Sequence, residues 1–137
     1  MRILAVDPGE KRIGLAISDP TATIAQPLTV LMHISRPVDA AAIAEIARQN
    51  QVGLIIVGTT MDDDGLPIPR SRQAERLADA LHLQSDLPVQ LWDESFSTQE
   101  ARIARIAMGT TRKKRTGHLD DLAATVILQS FLDAKSR

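Results

Sequence analysis

Arg2 to Val6 (RILAV) is a short apolar, β-prone run closed by the turn residues Asp7-Pro8-Gly9, and Ile13 to Ser18 (IGLAIS) resumes the pattern a few residues later. So short a gap predicts an antiparallel hairpin. A third extended run, Ile24 to His33, contains Pro27, which has no amide to give to a sheet ladder and therefore suits an edge strand. From Val38 to Asn50 the residues Val38, Ala41, Ala42, Ala44, Ile46 and Ala47 recur near helical spacing, with Glu45, Arg48 and Gln49 polar. Val52 to Val57 (VGLIIV) is almost wholly apolar, as a central parallel strand covered on both faces should be, and Gly58 is expected to end it. A polar, proline-bearing loop from Thr59 to Pro69 leads into an amphipathic helix over Arg70 to Leu83. Pro88 to Trp92 (PVQLW) reads as a short strand closed by Asp93-Glu94.

Ser97-Thr98-Gln99-Glu100 matches the capping box, in which the serine oxygen and the glutamate satisfy free amides at a helix start. It predicts a helix to Met108, stopped by Gly109. The loop from Thr110 to His118 carries Arg112-Lys113-Lys114-Arg115, and a last helix spans Leu119 to Asp133. The order β-β-β-α-β-α-β-α-α specifies an α/β fold with a mixed five-stranded sheet, three antiparallel strands first and helices on both faces. No repeat, low-complexity tract or long linker divides the chain, so residues 1–137 are expected to form a single domain.

Composition narrows the function classes. At 44% hydrophobic and 24% charged residues, the chain excludes disorder, collagen and coiled coil as its main architecture. Cysteine is absent, which removes disulfide scaffolds, thiolate zinc sites, iron–sulfur clusters and cysteine nucleophiles. No apolar run approaches a secretory leader or the roughly 18 residues of a membrane span, so a cytoplasmic location without membrane contact is expected. The net charge of −1 predicts no polyanion partner, but its distribution does. Between Glu100 and Asp120 there is no acidic residue, while Arg102, Arg105, Arg112, Lys113, Lys114 and Arg115 all fall there. Aromatic residues are few (Trp92, Phe96, Phe131), too few for a base-stacking platform, so nucleic-acid contact is expected to run through the backbone. Trp92, at a strand end, reads as core.

The candidate chemistry lies in three acids. Asp7 follows the first strand and Glu94 the last one, and in open α/β sheets ligands collect beyond the carboxyl ends of strands. Counting about 100° per residue, Leu119, Leu122, Ala123, Val126, Ile127 and Phe131 define the buried stripe of the last helix, with Asp120 inside it. Asp121 falls elsewhere, beside Leu128 and Leu132. The bland readings are a turn-former for Asp7, a surface acid for Glu94 and a helix N-cap for Asp120. Converging carboxylates with no histidine to share protons suit Mg2+ or Mn2+, cations that prefer oxygen ligands and assist phosphodiester hydrolysis. In the turn Asp7-Pro8-Gly9-Glu10-Lys11-Arg12-Ile13-Gly14, Gly9 permits a tight bend near a phosphate, and Lys11 and Arg12 supply positive charge. Asp62-Asp63-Asp64 fails the calcium-loop spacing and reads as a solvated turn. His33, His82 and His118 have no partner at ligand spacing and read as incidental.

Taken together, Asp7-Pro8-Gly9-Glu10-Lys11-Arg12-Ile13-Gly14, Ser18-Asp19, Leu54 to Gly58 with Asp64-Gly65, Trp92-Asp93-Glu94 with Ser97-Thr98 and Glu100-Ala101, and Leu119-Asp120 with Ala123-Ala124 and Ile127-Leu128-Gln129 resemble the YqgF/RuvX family. The resemblance covers essentially the whole chain. It implies a ribonuclease H-like fold and a nuclease, either one that matures the 5′ end of pre-16S ribosomal RNA or a Holliday junction resolvase acting on branched DNA. Asp7, Glu94 and Asp120 are then the catalytic and metal-binding acids, with Asp93 matched in a less defined role. Lys11, Arg12, Arg112, Lys113, Lys114 and Arg115 are the expected nucleic-acid contacts. There are two departures from the family pattern. Ser95 stands where an arginine usually follows Asp-Glu, and Thr59-Thr60 follow Gly58 where the family reads Leu-Pro. A resolvase is expected to be a two-fold homodimer, whereas an rRNA nuclease need not be. The rival readings are an actin-like nucleotide-binding domain, which at this length would supply one of the two lobes such proteins use, and a non-catalytic binding module on the same fold.

Overall fold

The computed structural model describes residues 1–59, 69–93 and 119–136, with the backbone alone at positions 70 and 119–121. In chain order the elements are β1 (Arg2–Asp7), β2 (Arg12–Ser18), β3 (Ala25–Met32), α1 (Arg36–Gln49), β4 (Val52–Thr59), α2 (Pro69–Gln84), β5 (Val89–Asp93) and α3 (Leu119–Lys135). They form a five-stranded sheet in the order β3-β2-β1-β4-β5. β2 is antiparallel to both its neighbours, β1 and β3, and β4 and β5 run parallel to β1. This is the mixed sheet expected from the sequence. Pro27 lies on the edge strand β3, where its missing amide costs no ladder bond, and the β2–β3 register shifts between Leu15 and Ala16, at the pairing of Ala16 with Pro27.

Period-two alternation gives the sheet two apolar faces, each too hydrophobic to meet water. Leu4, Val6, Ile55 and Val57 pack with Ile43 of α1 and Leu77 and Leu81 of α2. Ile3, Ala5, Leu54 and Ile56 pack with Ala124, Ile127, Leu128 and Phe131 of α3. Central strands covered on both sides must be apolar at consecutive positions, which is why VGLIIV reads as a continuous run.

Two expectations are corrected here. Gly58 does not end β4, since the strand continues to Thr59 and Gly58 pairs with Trp92 of β5. A side-chain carbon at 58 would stand 2.7 Å from Ile127 Cδ1, so the missing side chain lets α3 press onto the sheet. The buried face of α3 is also wider than the predicted stripe. Leu128 and Leu132, expected on the opposite side, are core residues along with Ala124. Angular position on the helix therefore does not separate Asp120 from Asp121, because both fall within the arc spanned by Ile127, Ala124 and Leu132.

Polar contacts fix the connections. Buried Gln129 of α3 accepts from the Ala25 amide at 3.0 Å and donates to the Thr23 carbonyl at 3.2 Å, tying the start of the edge strand to the helix. The β2–β3 turn is organised by Asp19, whose carboxylate accepts from the Thr23 amide at 2.7 Å, the Ile24 amide at 2.9 Å and the Thr21 hydroxyl. Those bonds, led by the one from Ile24, hold the Asp19 carboxyl well below the usual carboxylate range. They stabilise a turn in which Ala22 takes a left-handed φ of 57°.

Candidate nuclease site

Asp7 is the last residue of β1, at the carboxyl edge of the central strand. Ile3 and Ala5 face α3 while Leu4 and Val6 face α1 and α2, so the alternation puts Asp7 on the α3 side. It is buried, at 7% exposure. Its sheet neighbours leave it room. Gly14 is its partner on β2, and Gly58 is next in register on β4 after the Val6–Val57 pair. Neither projects a side chain toward the carboxylate. A carboxylate so removed from water needs cations or donated hydrogen bonds around it.

Of the other predicted acids, Asp120 is the second residue of α3, the helix packed on the same side of the sheet as Asp7; its backbone alone is described. Glu94 lies outside the described residues. Asp93 ends β5 opposite Thr59, and since Trp92 packs against the α3 cluster and Val89 against the other, the alternation assigns Asp93 to the α1–α2 side. Trp92 is half-buried: its indole donates to Ser130 Oγ at 2.8 Å and meets Phe131 edge-on at 5.1 Å, the packing role expected for it. Among the described residues no three His, Asp or Glu side chains converge at metal-ligand spacing.

The β1–β2 turn has the shape its sequence requires. A side-chain carbon on Gly9 would stand 2.3 Å from the Arg12 carbonyl oxygen, so only glycine allows this bend. Lys11 and Arg12 are exposed beside it, lining an open groove with Gly9 and Glu10. The tip is braced from outside the hairpin by the His33 amide, which donates to the Lys11 carbonyl at 2.9 Å. Arg112, Lys113, Lys114 and Arg115 lie outside the described residues, as do the helix expected from Ser97 to Met108 and the Asp62-Asp63-Asp64 turn.

Two features were not legible in the sequence. His33, read there as incidental, has its Nδ1 on the buried carboxylate of Asp39. No spacing rule connects an extended segment to a helix start in this way. Thr59 is 3% exposed at the carboxyl end of β4, and its hydroxyl has no hydrogen-bond partner among the described residues. Its only sequence signal was the departure from the family's usual residue.

Comparison with known proteins sets these features in context. Residues 1–134 match the family model described as "RuvX: Holliday junction resolvase". A protein of Pelotomaculum thermopropionicum named "Putative pre-16S rRNA nuclease" is 41% identical, the alignment covering 100% of this chain and 90% of the relative. A protein of the same name in Thermoanaerobacter pseudethanolicus is 39% identical over 98% of both. Among solved structures, Thermus thermophilus RuvC in complex with a Holliday junction substrate superposes with a TM-score of 0.62 at 16% identity, covering 99% of this chain and 96% of that one. The Fowlpox virus resolvase bound to Holliday junction DNA gives 0.63 at 16% identity over the whole of both chains. At such identities these two structures establish the shared fold, the ribonuclease H-like one expected above.

Proposed function

The chain belongs to the RuvX Holliday junction resolvase family, and on that footing we propose that it is a metal-dependent endonuclease cutting phosphodiester bonds of structured nucleic acid, with residues 1–137 as one nuclease domain. The relatives' shared name supports 5′-end maturation of pre-16S rRNA as the reaction. The observation that carries the reading is Asp7: a buried carboxylate at the carboxyl edge of the central strand, flanked by glycines, on the face where α3 begins with Leu119-Asp120.

Asp7, Glu94 and Asp120 would hold Mg2+ or Mn2+. The donor set fits a hard cation, since it is all oxygen, and a chain without cysteine has no thiolate to offer a softer metal. When bound, such a cation stabilises charge on the phosphodiester oxygens and makes water a stronger nucleophile. The protein's own part is positional. Asp7 pairs with Gly14 of β2, and Val6 just before it pairs with Val57 of β4, so its carboxylate needs little rearrangement on binding. Asp93 falls on the α1–α2 side, away from Asp7, so Glu94 stands as the partner acid on the family resemblance. Lys11 and Arg12 neutralise phosphates beside the cut, and Arg112, Lys113, Lys114 and Arg115 extend that contact.

The family's description supports a second reading, a Holliday junction resolvase, which would act as a two-fold homodimer. Incubating the protein with pre-16S rRNA and with four-way DNA junctions in Mg2+, Mn2+ or Ca2+ decides between them. Metal-dependent cutting of the rRNA precursor is expected. Cutting of the junction alone selects the resolvase, and failure to cut either in any metal overturns the nuclease reading.

A further inference from the structure

A small cavity opens where the turn Pro8-Gly9-Glu10 meets the start of α1, bordered by His33, Arg36 and Gln73 of α2. Its polar groups are held in place. Asp39, 5% exposed, takes His33 Nδ1 on one carboxylate oxygen and the Ile34 amide, at 3.0 Å, on the other. The imidazole itself is 37% exposed, and its Nε2 makes no hydrogen bond among the described residues. Arg36 donates from Nη1 to the Gln73 carbonyl at 3.3 Å, and its guanidinium makes no other hydrogen bond among the described residues. The His33 amide also braces the hairpin turn, donating to the Lys11 carbonyl at 2.9 Å.

Burying a carboxylate is costly unless it is paired, and here the pairing fixes the orientation of an accessible ring. A brace for the β3–α1 connection would need only the Ile34 amide and Nδ1. It does not explain why Nε2 and a half-used arginine share one cavity beside the turn that carries Asp7. We propose that His33 and Arg36 bind a phosphodiester group of the nucleic-acid substrate, an inference that rests on the nuclease reading above. An imidazolium donates from both nitrogens, to Asp39 through Nδ1 and to a phosphate oxygen through Nε2.

The test follows the imidazole 15N–1H signals of the wild-type protein while inorganic phosphate, and separately a short single-stranded oligonucleotide, is added at constant ionic strength. His33 signals should shift saturably while those of exposed His82 stay still. Arg36→Gln, which leaves the buried acid untouched, should weaken the oligonucleotide at least about three-fold with little change in melting temperature. The subsite is disproved if His33 and His82 respond alike, if neither responds, or if Arg36→Gln binds as tightly as the parent. Because these readouts need no cleavage, they separate the subsite from the nuclease reading. Absence of the shifts in a protein that cuts rRNA refutes only the subsite, and absence of cutting refutes the nuclease whatever the shifts.

Discussion

Gly58 of β4 and Ile127 of α3 approach so closely that a side-chain carbon at 58 would lie 2.7 Å from Ile127 Cδ1. Ile127 is fully buried, so its terminal methyl has little freedom to swing aside. Gly58→Ala should therefore destabilise the fold by about 1–3 kcal/mol, the usual range for an overpacked core. Ile127→Val removes the offending methyl, and in that background the same change should cost much less. Urea unfolding of the two single variants and the double variant measures the coupling, and strictly additive effects would show that this contact does not set the helix position.

Replacing Asp7 with asparagine preserves its shape and removes its charge. Cleavage should fall at least about a hundred-fold, the scale on which one charge-stabilising group is felt in catalysis. Circular dichroism should show the parent fold. A well-folded variant that cuts at the parent rate removes Asp7 from the active site.

Lys11 and Arg12 stand exposed on a braced turn. Reversing both to glutamate should weaken nucleic-acid binding across all sequences and flatten the logarithmic salt dependence by about one unit for each phosphate no longer neutralised. Binding isotherms at several salt concentrations give the slope. An unaltered slope would mean that the turn does not touch the backbone.

Thr59 buries a hydroxyl that has no partner among the described residues. Valine has nearly the same shape, so Thr59→Val should raise stability by about 1 kcal/mol through removal of the unsatisfied group. Thermal melts read the change directly, and a lower melting temperature would show that the hydroxyl is used.

Asp19 has its carboxyl depressed by hydrogen bonds from Ile24, Thr21 and Thr23. A native value below the unfolded one means that its contribution is complete above the ordinary carboxylate range and disappears as pH falls toward the depressed value. Asp19→Ala should thus melt lower than the parent at pH 7, with the gap narrowing as pH drops below about 4. A gap that stays constant from pH 7 to the acid limit would assign the destabilisation to something other than the charge.

The sequence by itself determined the order of the described strands and helices, the hairpin, the edge position of the strand with Pro27 and the two-sided burial of β4, because these follow from local periodicity and from what proline and glycine permit. It also placed Asp7 at the end of the first strand, where an apolar run gives way to Asp-Pro-Gly. What it could not supply was anything that depends on two distant segments meeting. Leu128 and Leu132 are core rather than surface because α3 is covered over a broad arc, which no helical wheel reveals. Gly58 looked like a strand terminator because a sequence shows that a side chain is missing but not that Ile127 fills the space. His33 and Asp39 pair because β3 ends where α1 begins, and the face on which Asp93 sits depends on register with β4. Periodicity is a property of neighbouring residues, whereas packing and pairing belong to the folded chain, and they decide which polar side chains face one another.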